Sequence, residues 1–505
     1  MPKSIISELG LSNVIDPLKE EIKELYCADD IPWIIGYSGG KDSTATLQLV
    51  WLALEELPEE SRHKPVHVIS TDTMVENPVV SSWVKHSLEV MAETAKAKRI
   101  PVEPQLLHPK TEDSFWVNLI GKGYPAPRHK FRWCTERLKI RPSNQFISSV
   151  VSKSGEAILA LGARKAESSA RAHVLKKNER YRTRAHLSPS ATLAGCLIYT
   201  PIEAWTNDDV WMFLNQVKNP WGHSNRDLLG MYAGASADGE CPLVVDTSTP
   251  SCGDSRFGCW VCTLVEKDKS MTAMIQNDAE KEWMSPLLEL RNKLDFRNAV
   301  RPSEDDKKDH HLRDFRRMNG STQLMHGDKL VPGPYHQEAR EEWLRDLLEA
   351  QKWIQEEGPQ EVRDLELITI DELVEIRRIW VVDKHELEDR LPVIYKEATG
   401  RSFPGRAIDD QTLLGPEQME TLAELCGEDK HQYELTRELL SLTMQQQASA
   451  RRAGLFDRLE KSLRRHFYDS KEDAINRAQE REKRLASAQK HQKLDETETK
   501  TTSSS

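Results

Sequence analysis

The chain has 505 residues and a formal net charge of −11 at neutral pH, with 38% hydrophobic and 30% charged residues. This length predicts two or three domains, and the acidic balance excludes a uniformly basic nucleic-acid coat. No stretch approaches the roughly 20 apolar residues of a membrane span. The first residues lack the apolar core of a signal peptide, so we expect a cytoplasmic protein with no membrane partner.

Apolar runs and amphipathic stretches alternate along the first 220 residues. This alternation predicts an α/β fold, a parallel twisted sheet flanked by helices. The helical stretches are 1–30, 42–56 and 77–97, and the strand candidates are 32–37, 65–71, 101–107 and 157–163.

The composition divides the chain into four predicted parts. Residues 1–225 form a nucleotide-binding domain, and 226–270 form a cysteine-rich segment. Residues 271–470 form a helical domain, which a polar stretch at 318–335 interrupts. The charged tail 471–505 is poor in apolar residues and is predicted to be disordered.

A glycine-rich loop follows the first predicted strand and opens a helix. Glycines let a backbone turn tightly and approach a ligand closely, and the first amides of a helix attract an anion. The loop is not a Walker A motif, because its spacing from Gly36 is one residue short and Asp42 replaces the expected Ser or Thr. It resembles the PP-loop of ATP pyrophosphatases, which implies that ATP is bound by Ser38, Gly39, Gly40, Lys41, Asp42 and Ser43.

A carboxylate ends the second predicted strand. Ligands of open α/β sheets lie outside the carboxyl ends of the strands, so Asp72 is placed to meet the nucleotide or a Mg²⁺ ion. We assign catalytic roles to Asp72, to Lys41 and Asp42 of the loop, and to Cys134, which is treated next.

Three further segments resemble the phosphoadenylyl-sulfate reductase branch of the same superfamily. They are residues 132–139 (RWCTERLK), 161–168 (LGARKAES) and 201–211 (PIEAWTNDDVW). Lysines and arginines surround Cys134, and nearby cations lower the pKa of a thiol, although a packing role for this cysteine stays open. Arg164 and Lys165 follow a strand end, where they can face phosphate groups of the nucleotide.

Four cysteines lie within 22 residues of a Gly- and Ser-rich segment, with the spacing C-x10-C-x6-C-x2-C. Four thiolates can hold either a structural Zn²⁺ ion or a [4Fe-4S] cluster, and the spacing does not choose between them. The predicted metal ligands are Cys241, Cys252, Cys259 and Cys262. Cys27, Cys196 and Cys426 stand alone and are interpreted as packing residues.

The order of the PP-loop, the RWCT block, the four cysteines and the helical extension resembles the DndC family, the sulfurtransferases of bacterial DNA phosphorothioation. The resemblance covers about residues 10–320. It implies ATP pyrophosphatase activity, a [4Fe-4S] cluster and replacement of a non-bridging oxygen of a DNA phosphate by sulfur. It also implies three kinds of partner, namely DNA, a cysteine desulfurase as sulfur donor and other phosphorothioation proteins.

Our hypothesis for the mechanism is adenylation of a DNA phosphate by ATP, followed by displacement of AMP by sulfur from a persulfide on Cys134 or from the iron–sulfur site. An adenylyl-sulfate reductase, a tRNA thiolase and a nucleotide-gated scaffold with structural zinc are the alternatives. The segments 171–184 and 307–317 are rich in Lys and Arg, so they are candidates for contact with a DNA backbone or are simply solvated.

Overall fold

The computed structural model describes residues 4–235, 257–298, 309–325, 329–405, 414–427, 429–447, 454–468, 470–484 and 487. The chain divides into two compact units. The first unit comprises Met1–Phe115, Pro127–Asn292 and Glu357–Arg363, and the second comprises Trp116–Ala126, Lys293–Glu356 and Asp364–Ser505. The first unit continues past residue 225, where we placed a domain boundary, because Cys259 forms a β-bridge with Glu76 of the α/β region.

The first unit contains a six-stranded sheet with the strand order β3-β2-β1-β4-β6-β5. Five strands are parallel and only β5 runs antiparallel to its neighbour β6. The strands are β1 (Trp33–Gly36), β2 (Val66–Thr71), β3 (Val102–Leu107), β4 (Ala157–Ala160), β5 (Ser188–Pro189) and β6 (Cys196–Tyr199).

Helices cover both faces of this sheet, as a parallel sheet requires. Alternate residues of β1 show the two layers, since Trp33 and Ile35 belong to the larger hydrophobic cluster and Ile34 belongs to the smaller one. The helices described in this part of the chain are α1 (Ile5–Leu9), α2 (Leu11–Cys27), α3 (Lys41–Glu56), α4 (Pro78–Ala97), α5 (Arg141–Ser154), α6 (Ser169–Arg180), α7 (Asn207–Gln216), α8 (Asn225–Gly234), α9 (Lys269–Asn277) and α10 (Ser285–Leu294), whose last two residues belong to the second unit.

The α/β fold predicted from the sequence is confirmed, and the four predicted strands are β1 to β4. The helix predicted over 1–30 is two helices, α1 and α2, because Gly10 between them has a φ of 86° that most residues avoid. Cys196 begins strand β6 and is buried, in line with its interpretation as a packing residue.

The second unit is mainly helical. Its first segment, Trp116–Ala126, interrupts the first unit in the sequence and is held by two indole groups. Trp116 donates to the Leu367 carbonyl at 2.8 Å, and Trp380 donates to the Ile120 carbonyl at 3.0 Å. Its elements are the hairpin β7 (Leu324–Met325) and β8 (Lys329–Leu330), and the helices α11 (Gln337–Glu357), α12 (Ile370–Arg378), α13 (Arg390–Thr399), α14 (Pro416–Cys426), α15 (Lys430–Gln447) and α16 (Leu455–Arg465).

The C-terminal tail differs from its prediction in its first half. Residues 471–484 are helical, whereas we expected disorder from residue 471. Ala474 and Ala478 lie one turn apart and are buried, so even a segment with few apolar residues presents a small buried face. None of the helices in the described part of the chain is long and apolar enough to cross a membrane.

Candidate active site

The PP-loop connects β1 to the first turn of α3. Gly39 has a φ of 70°, and a Cβ atom there would lie 2.5 Å from a methyl carbon of Val84, so this position requires glycine. The Ser43 hydroxyl donates to the Gly40 carbonyl at 3.0 Å and accepts from the Ser38 amide at 3.2 Å. The N-cap residue of α3 is Gly40, which has no side chain to cap the helix, so the first turn of α3 resembles an anion site.

The second half of the sheet holds this loop from the other side. Arg164 follows β4, is 4% exposed, and donates from Nε to the Asp42 carboxylate at 2.6 Å. Gly162 is packed so closely that a Cβ atom would lie 2.6 Å from the Asp42 carbonyl oxygen. The structure therefore brings Arg164 and Asp42 together beyond the carboxyl ends of the neighbouring strands β1 and β4, which is where open α/β sheets bind ligands.

Lys41 lies beside this ion pair. Its ammonium nitrogen is 3.6 Å from the Asp42 carboxylate and 5.3 Å from the centre of the Tyr232 ring. Burial lowers the pKa of Lys41, Asp42 opposes this effect, and the charge of Arg164 adds to it. Negative phosphate oxygens would offset the cost of burying this cation, so the site has the chemistry to bind a polyphosphate.

Lys165 has a different environment from Arg164. Its ammonium group pairs with Glu179 and with Glu203, 3.3 Å away, and these carboxylates raise its pKa although burial lowers it. Its contacts therefore hold helix α6 and the turn before α7 together. Among the described residues, the ion-pair partners of Lys165 include none from the PP-loop, and its role in binding ATP stays a prediction.

Asp72 is buried at the end of β2, the strand beside β1. One of its carboxylate oxygens accepts the Met74 amide at 2.8 Å, and the other lies 3.3 Å from the Lys85 ammonium group. The first contact shapes the turn, and the second places a cation against the carboxylate. Contact of Asp72 with Mg²⁺ stays a prediction.

The second pair of predicted metal ligands lies next to this turn. The Cys262 amide donates to the Cys259 carbonyl at 3.0 Å, which closes a tight turn between the two thiols. Trp260 and Val75 are joined by a backbone hydrogen bond of 3.0 Å, and the Thr73 hydroxyl is 3.3 Å from the Cys259 sulfur. The cysteine turn is therefore fastened to the segment that follows β2.

A charge network lies beside Cys259. The Lys139 ammonium group lies 3.0 Å from the Glu76 carboxylate, and that carboxylate lies 3.9 Å from the Cys259 sulfur. Burial raises the pKa of the Cys259 thiol to about 12, Glu76 adds to the rise, and Lys139 opposes it. Burial alone would lower the pKa of Lys139, but the charges of Cys259, Glu76 and Cys134 raise it.

Cys134 begins the π-helical turn Thr135–Ile140, and the effect that we predicted on its pKa is wrong. Burial raises the pKa of Cys134, and the charge of Cys262 adds to the rise. Two of the neighbouring cations have carboxylate partners, since Arg141 pairs with Asp113 and Lys139 with Glu76, and the effect of burial outweighs that of the cations. The mutual effects on pKa place Cys134, Cys262 and Lys139 in one neighbourhood.

The predicted four-cysteine metal site is described only in part. Cys241 and Cys252 lie outside the described residues. Within the described ranges, no group of three or more His, Cys, Asp and Glu side chains is arranged to hold a metal ion. The Cys259–Cys262 turn offers two partly buried thiols one turn apart, and these donors suit either iron or zinc.

Three residues that the sequence did not single out complete the site. Tyr232 accepts the Lys41 amide at 3.4 Å, Trp83 donates to the Gly39 carbonyl at 3.3 Å, and Glu76 pairs with Lys139. Of these three, only Glu76 could have been suspected from the sequence, because it lies four residues after Asp72, which ends the strand. Tyr232 is 191 positions from Lys41, and a single sequence does not reveal such a contact.

The two basic segments differ from each other. In residues 171–184, Lys176, Lys177 and Arg180 are exposed and form no ion pair with a carboxylate in the described part of the chain. In residues 309–317, by contrast, Arg313 and Arg316 are buried and bind internal oxygen atoms. The prediction of a DNA contact is therefore wrong for these two arginines, while residues 307 and 308 lie outside the described residues.

Residues 32–222 match the phosphoadenosine phosphosulfate reductase domain family. The chain is 26% identical over 200 residues to an uncharacterized protein of Methanocaldococcus jannaschii, which covers 40% of this chain and 35% of that protein. The chain thus spans about a third of the length of this curated relative.

Among solved structures, the chain is similar to the U34-tRNA thiolase NcsA from Methanococcus maripaludis with its [4Fe-4S] cluster. The TM-score is 0.25 and the identity 11%, over 56% of this chain and 79% of that chain. A similarity of this size carries no conclusion about function. The domain match and the PP-loop geometry agree, and residues 32–222 form a phosphoadenosine phosphosulfate reductase-like domain of the PP-loop superfamily.

Proposed function

We propose that the first unit cleaves ATP to AMP and pyrophosphate and uses the reaction to transfer sulfur to a phosphate of the DNA backbone. The observation that carries this proposal is the loop itself, where the buried Lys41 lies beside the Arg164–Asp42 ion pair at the carboxyl ends of β1 and β4. Such a site binds the phosphates of ATP. The Cys259–Cys262 turn is paired through Cys259 with Glu76, in the segment that follows the neighbouring strand β2.

The first step activates the acceptor. A non-bridging oxygen of the DNA phosphate attacks the α-phosphorus of ATP, the bond to the β-phosphate breaks, and pyrophosphate leaves. Lys41 stabilises the charge that develops on the leaving group, and Asp42 acts as a positioning residue because Arg164 already occupies its carboxylate. Mg²⁺, held near Asp72, would neutralise the pyrophosphate in addition.

The second step exchanges oxygen for sulfur. Cys134 carries a persulfide that a cysteine desulfurase has formed from free cysteine. The terminal sulfur attacks the activated phosphorus, and AMP leaves with the former phosphate oxygen. A dithiol reductant then cleaves the sulfur–sulfur bond, which releases phosphorothioate DNA and the Cys134 thiol and leaves the reductant as a disulfide.

The four-cysteine set would hold the [4Fe-4S] cluster, with Cys259 and Cys262 supplied by the described turn and Cys241 and Cys252 by the segment before it. When bound, the cluster supplies iron sites that can bind and release sulfur. The chain's own contribution is the turn that Thr73 and Glu76 fasten to the end of β2, which fixes the two described thiols beside Cys134 and Lys139.

DNA is favoured as the acceptor by the exposed basic face that Lys176, Lys177 and Arg180 form on α6. Helix α6 begins five residues after Arg164, and the three cations lie in its C-terminal half. Exposed cations without carboxylate partners can neutralise backbone phosphates, and such contacts require no base-specific groups.

The experiment that tests this proposal measures sulfur in DNA. Cells make the chain together with its desulfurase and the other phosphorothioation proteins, and digested DNA is analysed by mass spectrometry. We expect phosphorothioate with the natural chain and with Cys27→Ser, an isolated exposed cysteine, but none with Cys134→Ser. The purified Cys134→Ser variant should still release pyrophosphate from ATP.

Two results would contradict the proposal. Unchanged phosphorothioate in the Cys134→Ser variant would exclude an essential sulfur step at this residue. Sulfur found in tRNA and absent from DNA would show that tRNA, and not DNA, is the acceptor, and the proposed cleavage of ATP at the loop would still stand.

A further inference from the structure

The helical unit contains a cavity of about 470 Å³, distinct from the PP-loop. Its walls come from the segment 314–320, the start of α11, the segment 379–386, and helices α15 and α16. This volume is within the range of small-molecule sites in proteins. Eight Lys and Arg side chains and six carboxylates line it, so the lining carries an excess of positive charge.

Most of these cations have a carboxylate partner. Arg340 pairs with Glu386, and Arg465 lies 3.2 Å from Glu438. Lys384 differs, because its ammonium group forms no hydrogen bond or ion pair with any residue that the structure describes. It follows the π-helical turn Ile379–Asp383, and its amide is held by the Ile379 carbonyl at 2.9 Å, so the backbone beneath it is fixed.

Arg317 is the second such cation. It donates to the Pro332 carbonyl at 2.9 Å and pairs with no carboxylate of the described chain. The three histidines of the lining add no positive charge near pH 7, since burial lowers the pKa of His336, His385 and His466, and as neutral rings they do not offset the cations either. The cavity therefore holds two cations whose charge the described side chains do not neutralise.

We propose that this cavity binds a tetrahedral oxyanion, either phosphate or sulfate or a small molecule that carries one, with Lys384 as its central ligand and Arg317 as a second cation. Lys and Arg are the side chains that recognise such groups. A bound dianion would neutralise the two unpaired charges and would satisfy the ammonium donors of Lys384.

The pKa of Lys384 supports the same conclusion. Burial lowers it to about 8, Arg340 and Arg465 add to the fall, and Glu386 and Asp314 oppose it. The free protein thus maintains a buried ammonium group among other cations at a cost in stability. An anion beside it would reverse that cost, and ligand binding to the folded state raises the melting temperature.

The test compares Lys384→Met with Lys396→Met in the full chain. Lys396 is an exposed lysine of α13 that does not line the cavity, so its loss is the matched control. Hydrogen–deuterium exchange of the peptide 379–388 is measured with sodium phosphate, sodium sulfate or sodium chloride at equal ionic strength. This local readout separates the cavity from the PP-loop, which also binds phosphates.

We expect phosphate or sulfate, but not chloride, to slow exchange in 379–388 at least threefold in the natural chain and in Lys396→Met. Preference for one of the two anions identifies which group the natural ligand carries. Lys384→Met should show no such protection, and without added anion its melting temperature should be higher than that of the natural chain. Equal protection by chloride, no protection by any anion, or full protection in Lys384→Met would overturn the proposal.

Discussion

The two units of this chain both contain a buried lysine with a lowered pKa, but the lysines differ in their surroundings. Lys41 lies on a loop that a sequence motif announces, and Asp42 and Arg164 form an organised ion pair beside it. Lys384 lies in a helical unit without a recognisable motif, and the described side chains leave its charge unpaired. A local motif thus reveals one anion site, whereas only the charges of the folded cavity reveal the other.

The strongest way to test this comparison is to remove Lys41. We expect Lys41→Ala to reduce pyrophosphate release about 100- to 1,000-fold, because a charged donor that acts on the developing negative charge is lost. The measurement is a coupled pyrophosphate assay with ATP and Mg²⁺. Lys153→Ala, which removes an exposed lysine at the end of α5, is the control and should retain full activity. Undiminished release in Lys41→Ala would show that the loop does not carry the ATP chemistry.

Metal content tests the thiol side of the first unit. Anaerobically purified protein should contain about four irons per chain, as a [4Fe-4S] cluster requires. Cys259→Ser and Cys262→Ser should lose most of this iron, and Cys196→Ser should keep it because that thiol is buried in the sheet. One tightly bound zinc and no iron in the natural chain would give the four cysteines a structural role.

A smaller effect is expected where β4 meets the PP-loop. Gly162→Ala should reduce the free energy of unfolding by about 1–3 kcal/mol, because the new methyl group would lie 2.6 Å from the Asp42 backbone. Gly230→Ala in α8 is the matched control, since no atom lies within 4 Å of its added carbon. Denaturant unfolding measures both. A Gly162→Ala variant as stable as Gly230→Ala would disprove the close contact between β4 and the loop.

The least drastic test concerns the exposed basic face. Replacing Lys176, Lys177 and Arg180 by alanine should weaken binding of duplex DNA. The slope of log affinity against log salt concentration should become shallower by about 3, because each lost phosphate contact contributes roughly 0.9. Fluorescence anisotropy at several salt concentrations measures this change. ATP cleavage without DNA should stay unchanged, and an unaltered salt dependence would place the DNA contact elsewhere.

The sequence was informative wherever a feature depends on residues that are close together in the chain. The PP-loop, the strands before it and after it, and the C-x2-C turn each depend on neighbours within a few positions, and all are found in the structure. The predicted effect of cations on Cys134 failed because it counted charges along the chain. In the fold, Glu76 pairs with Lys139 and Asp113 pairs with Arg141, and burial sets the direction of the pKa shift.

By itself, the sequence determined the parallel α/β fold and the residues of the phosphate loop, because hydrophobic periodicity and glycine geometry act over short distances. Tertiary structure decided which partners those residues have. It joined Arg164 to Asp42 across 122 positions and Cys259 to Glu76 across 183, paired Lys165 with Glu179, and buried Arg313 and Arg316. Pairing and desolvation of charges depend on distances through space, and these exist only once the chain has folded.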